Sequence, residues 1–430
     1  GHRRLPRLLQ CMLGIGAAVA WALFAFGHVF MLVDAPWALN DGSCGVMYQT
    51  PVIDRRGNIF MSASDGWLMA FKPDGTELWR NRTGGKQKDW VGQIPTPALS
   101  GDSLFLTDGF GGALALDPQT GAERWRAHYA DGRSGLDSWS TGVHGDLVFF
   151  LGYPQPSPDM NSGSGSHLYA LSAQDGSLRW MFQLEVPAYN IMPAVVGSDL
   201  VLTDRTGNVY CLDVATGARR WYMPGSDPAS FTTGAAAIGP NKVVYVSSNI
   251  GSMNFGRGNL RAYDLQSGRM LWNSTFDLPA NAAPVVFRDA TGWKVVTGLG
   301  ANGVAPWPLY NIYDRPPPWE IIWEYLGQLV AVDGDTGETV WTFEPPPHRG
   351  PAAAGSTISH QCWPDAWTNA AVGADGVVYV GWHAGVVYAV NGTTGAVLSS
   401  YDLRSALQGE PAIAPGMLVV TSCMRMAVFT

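Results

Sequence analysis

ALDPQTGAERW, Ala115–Trp125, occurs seven times along this chain in recognisable variants. The others are AFKPDGTELW (Ala70–Trp79), ALSAQDGSLRW (Ala170–Trp180), CLDVATGARRW (Cys211–Trp221), AYDLQSGRMLW (Ala262–Trp272), AVDGDTGETVW (Ala331–Trp341) and AVNGTTGAVLS (Ala389–Ser399). The first copy has a turn one residue shorter, and the last carries Ser399 where the others carry Trp. Recurrence at intervals of roughly 40–70 residues points to a solenoid, propeller or array. Each phrase reads as two strands around a tight turn, closed by a glycine that accepts positive φ. Upstream of each copy lie two more strand-like runs. In the second repeat they are Thr96-Pro97-Ala98-Leu99 and Ser103-Leu104-Phe105-Leu106-Thr107. Four antiparallel strands per unit, with no helical period between them, make one propeller blade.

Work outward from the phrase and the ring closes. Glu410-Pro411-Ala412-Ile413, Met417–Val420 and Met426–Phe429 read as three strands of an eighth blade that lacks its fourth. Pro36-Trp37-Ala38-Leu39-Asn40, just ahead of the first repeat, is expected to supply it. Pairing both ends of the chain in one blade removes open sheet edges. The chain is 46% apolar with only 14% charge, and it carries 52 Gly and 18 Trp, so a large core is available. The expected fold is all-β, an eight-bladed β-propeller over residues 36–430.

The phrase resembles the tryptophan-docking motif of the quinoprotein-like propellers. That family includes pyrroloquinoline-quinone dehydrogenases and a non-catalytic outer-membrane-assembly propeller. The resemblance covers nearly everything after residue 36. It implies that Trp79, Trp125, Trp180, Trp221, Trp272 and Trp341 are structural wedges between blades, with the small residue that opens each phrase making room.

Residues 1–35 read as a membrane anchor. Arg3, Arg4 and Arg7 precede an apolar run from Cys11 to Val33 broken only by His28, long enough to span a bilayer as a helix. A cleaved secretory signal is the alternative, with Ala18-Val19-Ala20 as the cut. The arginines place the N-terminus on the cytoplasmic, stromal or matrix side, and the propeller on the periplasmic, lumenal or extracellular side. Setting those three aside leaves 24 of the 27 Lys and Arg against 35 Asp and Glu, a balance that argues against nucleic acid.

The five cysteines form neither a disulfide framework nor a zinc pattern. Cys211 replaces the motif alanine and is expected to be a buried small residue. Cys44 and Cys423 fall in loops on one face of the closing blade and are expected to form a disulfide, with Cys362 as the alternative partner. Asn81, Asn273 and Asn391 open N-x-S/T triplets that matter only in a host that glycosylates its exports.

Strand order puts the second-to-third loops and the connections between blades on one face, here the top. The long segments Gly152–Gly165, Asn249–Gly258 and Ala301–Gln328 lie there. The last carries Trp307, Tyr310, Tyr313, Trp319, Trp323 and Tyr325 around a triple proline, and is expected to be a partner-docking arm or a lid. Ser359–Trp367 enters the seventh blade from the same face and marks where an axial ligand would be sought.

A quinone dehydrogenase needs a cation beside the quinone and a general-base carboxylate. No adjacent cysteine pair of the kind many such enzymes carry is present. Asp137 near Trp139, Asn190, Asn281, Asp365 near Trp367, and Glu410 stand as isolated candidates, each read as a loop carboxylate or strand-end amide. Asp333–Glu338 has the wrong spacing for a calcium loop. His128, His144, His167, His348, His360 and His383 show no short ligand spacing. No catalytic, cofactor or metal residue is assigned. The expectation is a membrane-anchored, non-catalytic scaffold that binds protein subunits of a membrane complex. The alternatives are a pyrroloquinoline-quinone dehydrogenase with calcium, and a sugar- or peptide-binding sensor.

Overall fold

The computed structural model describes residues 49–63, 66–84, 95–130, 141–152, 166–188, 192–252, 256–301, 324–349, 366–422 and 425–430, and the backbone alone of 29–34, 86–87 and 90–91. These residues form an eight-bladed β-propeller. Each blade is a four-stranded antiparallel sheet, and seven of the eight are simple meanders in chain order. Blade 2, for example, runs Ala98–Ser100, Ser103–Thr107, Gly112–Leu116 and Glu123–His128. The first strands of successive blades touch one another, so they are the innermost.

The eighth blade closes the ring. Its strands are Ala412–Ala414, Met417–Thr421 and Arg425–Phe429, and Val29–Asp34 pairs antiparallel with the last of these, from Val29 opposite Phe429 to Asp34 opposite Arg425. Closure by the two chain ends is as expected, but the strand lies upstream of Pro36–Asn40. It takes the Val29–Val33 end of the apolar run read as an anchor. Valine, phenylalanine and leucine in sequence satisfy a strand as well as a membrane helix, and periodicity does not separate the two. Val29 stands at the bottom face, beside the C-terminal end of the chain. Residues 1–28 lie outside the described set. Among the described residues no helix is long and apolar enough to cross a membrane.

One device recurs in every seam carrying the motif tryptophan. In all seven copies the ladder slips by a residue just after the small opening residue, as between Ala115 and Leu116. The bulge sets the indole opposite that small residue. Each indole Nε1–H then donates to a turn carbonyl of the next blade. The acceptors are Pro118 for Trp79 (3.0 Å), Ala173 for Trp125 (2.9 Å), Val214 for Trp180 (2.9 Å), Leu265 for Trp221 (2.8 Å), Gly334 for Trp272 (2.9 Å) and Gly392 for Trp341 (2.7 Å). Glycine closes the turn for two reasons, seen at Gly217. Its φ is +72°, and a Cβ there would lie 2.5 Å from Trp180 Cε3. Apolar clusters fill the space between neighbouring blades, as with Phe149, Leu168 and Trp180 of blade 3 against Leu200, Tyr210 and Leu212 of blade 4. Cys211 is fully buried and free. Cys44, Cys362 and Cys423 lie outside the described residues.

Candidate functional site

The top mouth of the channel is built from the residues that lead into each first strand. Proline often starts that strand, because the innermost edge needs no N–H there. The residue before it is polar in several blades: Thr50-Pro51, Thr96-Pro97, Glu410-Pro411. These polar groups bond across the seams. Thr50 N donates to Thr96 Oγ1 (3.1 Å), and Thr141 N to Thr96 O (3.0 Å). Thr233 Oγ1 donates to Asn281 O (3.1 Å), and Ala283 N to Asn369 Oδ1 (2.7 Å). Glu410 N donates to Thr50 Oγ1 (3.0 Å), joining the last blade to the first. Below this ring, hydroxyls at the ends of second strands reach the next blade's incoming chain. Ser62 donates to Pro95 O, Thr203 to Gly234 O, Ser247 to Ala282 O and Thr421 to Gln49 O.

Glu410 is the carboxylate on this ring. Part of the residue is open to solvent, but its carboxyl end is enclosed. Burial pushes its pKa up to about 7, opposed by a hydrogen bond from the Asn369 side chain. With Asn369 Oδ1 taken by Ala283 N, its amide N–H₂ is the group that faces Glu410. A raised pKa means the folded state favours the neutral acid, so this group costs stability as pH rises from the usual glutamate value towards 7. Glu410→Gln is therefore expected to match the wild type at pH 4.5 and to exceed it at pH 8, by at most about 3 kcal/mol. Thermal unfolding at both pH values checks this, and an equal effect at both would contradict it.

Other sequence candidates fall differently. Asn281 is buried, and its Oδ1 accepts from Asn249 Nδ2 (2.7 Å), which ties blade 5 to blade 6. Trp367 is 2% exposed and donates Nε1–H to Leu299 O (3.1 Å), a core role between blades 6 and 7. Gly298 and Gly327 make room there: a Cβ on the first would lie 2.4 Å from Trp367, and on the second 2.1 Å from Trp382. Tyr325 is 7% exposed, in a short ribbon that pairs Glu324–Tyr325 with His348–Arg349. Tyr325 is thus part of the wall, where the sequence placed it on an arm. Its apolar ring packs where an interior site was available. Trp307, Tyr310, Tyr313, Trp319 and Trp323 lie outside the described residues, as do Asp137, Trp139, Asn190 and Asp365. The sequence reading missed Asn369, Thr50, Thr96 and Thr141. The polar-then-proline pairs were visible, but not their convergence.

The described ring residues alone do not make up a calcium site beside a quinone. Calcium takes six to eight oxygens, commonly with several carboxylates. The described rim offers the one carboxylate of Glu410, held towards its neutral form and already engaged by Asn369. No group of three His, Cys, Asp or Glu with metal-ligand proximity occurs among the described residues.

A family model described as outer membrane protein assembly factor BamB matches residues 47–164, 137–302 and 326–428. The chain belongs to this family. The BamB of Yersinia pestis is 24% identical over 279 residues, 63% of this chain and 61% of that protein. The quinohemoprotein alcohol dehydrogenase ADH-IIG of Pseudomonas putida is 27% identical over 224 residues, 43% of this chain and 31% of that enzyme. The chain thus spans less than two thirds of either curated relative. The crystal structure of BamB from Moraxella catarrhalis superposes with a TM-score of 0.60 at 16% identity, covering 94% of this chain and 99% of that one. At that identity the likeness speaks for the fold alone.

Proposed function

We propose that this propeller is a non-catalytic scaffold that binds protein subunits of a membrane assembly complex. The apolar N-terminal segment holds it to the membrane, and the ring stands on the periplasmic, lumenal or extracellular side. The observation that carries this reading is the top of the channel. There the chain's own threonines, Asn369 and Glu410 satisfy one another across the seams. A cofactor held on the axis would need polar groups such as these free to meet it. Membership of a family described by an assembly factor supports the same reading. In this reading the top face, away from the bottom-face start of the closing strand, is the one that meets partners.

The second reading, a quinone dehydrogenase, draws on the similarity to the Pseudomonas putida enzyme. Reconstitution of the purified full chain with pyrroloquinoline quinone and Ca²⁺, followed by dye-linked alcohol oxidation, separates the two. The scaffold reading expects no turnover above the protein-free control. Turnover that Glu410→Gln abolishes would overturn it. Affinity purification from membranes tests the docking arm separately. Partners held in fixed ratio by the full chain are expected to be lost on deleting residues 302–323, and full retention would refute the arm.

A further inference from the structure

Buried polar atoms almost always find a hydrogen-bond partner, and an exception asks for an explanation. His383 is such an exception. Its side chain is 1% exposed, and neither Nδ1 nor Nε2 has a partner. The residue directly follows the second strand of blade 7, Val377–Trp382, and its backbone N–H donates to Ala366 O (3.0 Å). The strand end therefore fixes the ring's position while its nitrogens stay unsatisfied.

His348 faces it from the Tyr325 ribbon of blade 6. The two imidazole centres are 5.2 Å apart with their planes at 66°. Zinc–imidazole bonds run to about 2.1 Å, which puts each ring centre roughly 3.2 Å from the ion and, at a tetrahedral angle, the two centres about 5.3 Å apart. The spacing of the ring centres in this protein agrees with that figure. Neutral imidazole is the form that binds a metal. His348 is only partly buried, which leaves an approach from solvent on its side.

We propose that His348 and His383 form a two-imidazole site for a borderline divalent transition metal of the zinc and copper class. Imidazole suits these ions better than it suits calcium or magnesium. The protein's described residues supply two ligands, so water or an external oxygen donor fills the other positions. A bound ion ties the Glu324–Tyr325/His348–Arg349 ribbon of blade 6 to blade 7. The site uses none of the groups of the Glu410 ring and does not rest on the scaffold reading. The competing explanation is an N–H of His383 aimed at the face of Tyr325, whose ring stands perpendicular at 5.2 Å.

The test uses the full chain, stripped with a chelator and titrated with Co²⁺ by visible absorption and with Zn²⁺ by calorimetry. The expected result is one saturable equivalent per chain, with a Co²⁺ spectrum of low coordination number. His348→Gln and His383→Phe should each weaken it by at least about tenfold. Zn²⁺ should raise the melting temperature of the wild type and not of His348→Gln. His348 is only partly buried, so its variant folds even if His383→Phe does not, and circular dichroism confirms it. Absence of a saturable equivalent in the wild type, or unchanged affinity in His348→Gln, overturns the proposal.

Discussion

Replacing Trp180 with alanine lowers the stability of the propeller by about 3–5 kcal/mol, the range for a large buried aromatic cut to a methyl. The side chain is 8% exposed and sits in the seam between blades 3 and 4. It packs against Gly217 and donates to Val214 O at 2.9 Å. Trp180→Phe should recover much of the loss, leaving a cavity and an unmatched carbonyl that costs about 1–3 kcal/mol. Gly217→Ala attacks the same contact from the other side. The new Cβ would overlap the indole at 2.5 Å, and φ of +72° disfavours any side chain. Overpacking costs about 1–3 kcal/mol, and the backbone strain adds on the order of 1 kcal/mol. The two changes should be strongly non-additive, because Trp180→Ala removes the atoms that the added methyl would hit. In the double variant only the backbone strain at residue 217 remains. Chemical denaturation of the wild type, both single variants and the double variant checks the cycle. Additive losses would show that Trp180 and Gly217 do not share one contact.

Removing the closing strand has a comparable effect. A chain that begins at residue 36 lacks Val29–Asp34 and leaves Arg425–Phe429 as a free edge. Five aligned residue pairs are lost, and at about 1 kcal/mol per hydrogen bond the penalty is about 3–5 kcal/mol. The exposed edge is also a template for pairing with a second copy. The expected result is a lower melting temperature, with dimers or larger species on size exclusion. A chain that begins at residue 27 should stay monomeric and stable. If the two behave alike, the ring is not closed by that strand.

The blades were legible because each is a local object. Ala115 to Trp125 holds the approach strand, the Asp117 and Thr120 turn, the positive-φ Gly121 and the indole, all within one short window. Asp117 Oδ1 accepts from the N–H groups of Gln119 and Thr120 at 2.9 and 3.0 Å, so the turn is built by the residues that name it. The closing strand was misplaced because VFMLVD carries no feature that separates a buried strand from the end of a membrane span. The channel ring was legible only as separate polar-then-proline pairs, not as a ring. Glu410 and Thr50 are neighbours only once the ring is shut, and no local pattern encodes a bond between residues 360 apart. The same holds for His348 and His383, which sit on different blades with no ligand spacing between them.

Function follows from the ring only if its members act as structure. Thr50, Thr96, Asn369 and Glu410 spend their hydrogen bonds on adjacent blades, which suits a rigid platform better than a reaction chamber. Native mass spectrometry of the full chain, extracted from host cells in mild detergent, tests this most directly. The account predicts a complex of fixed stoichiometry with at least one membrane protein. The chain isolated alone, with the added mass of pyrroloquinoline quinone, would contradict it.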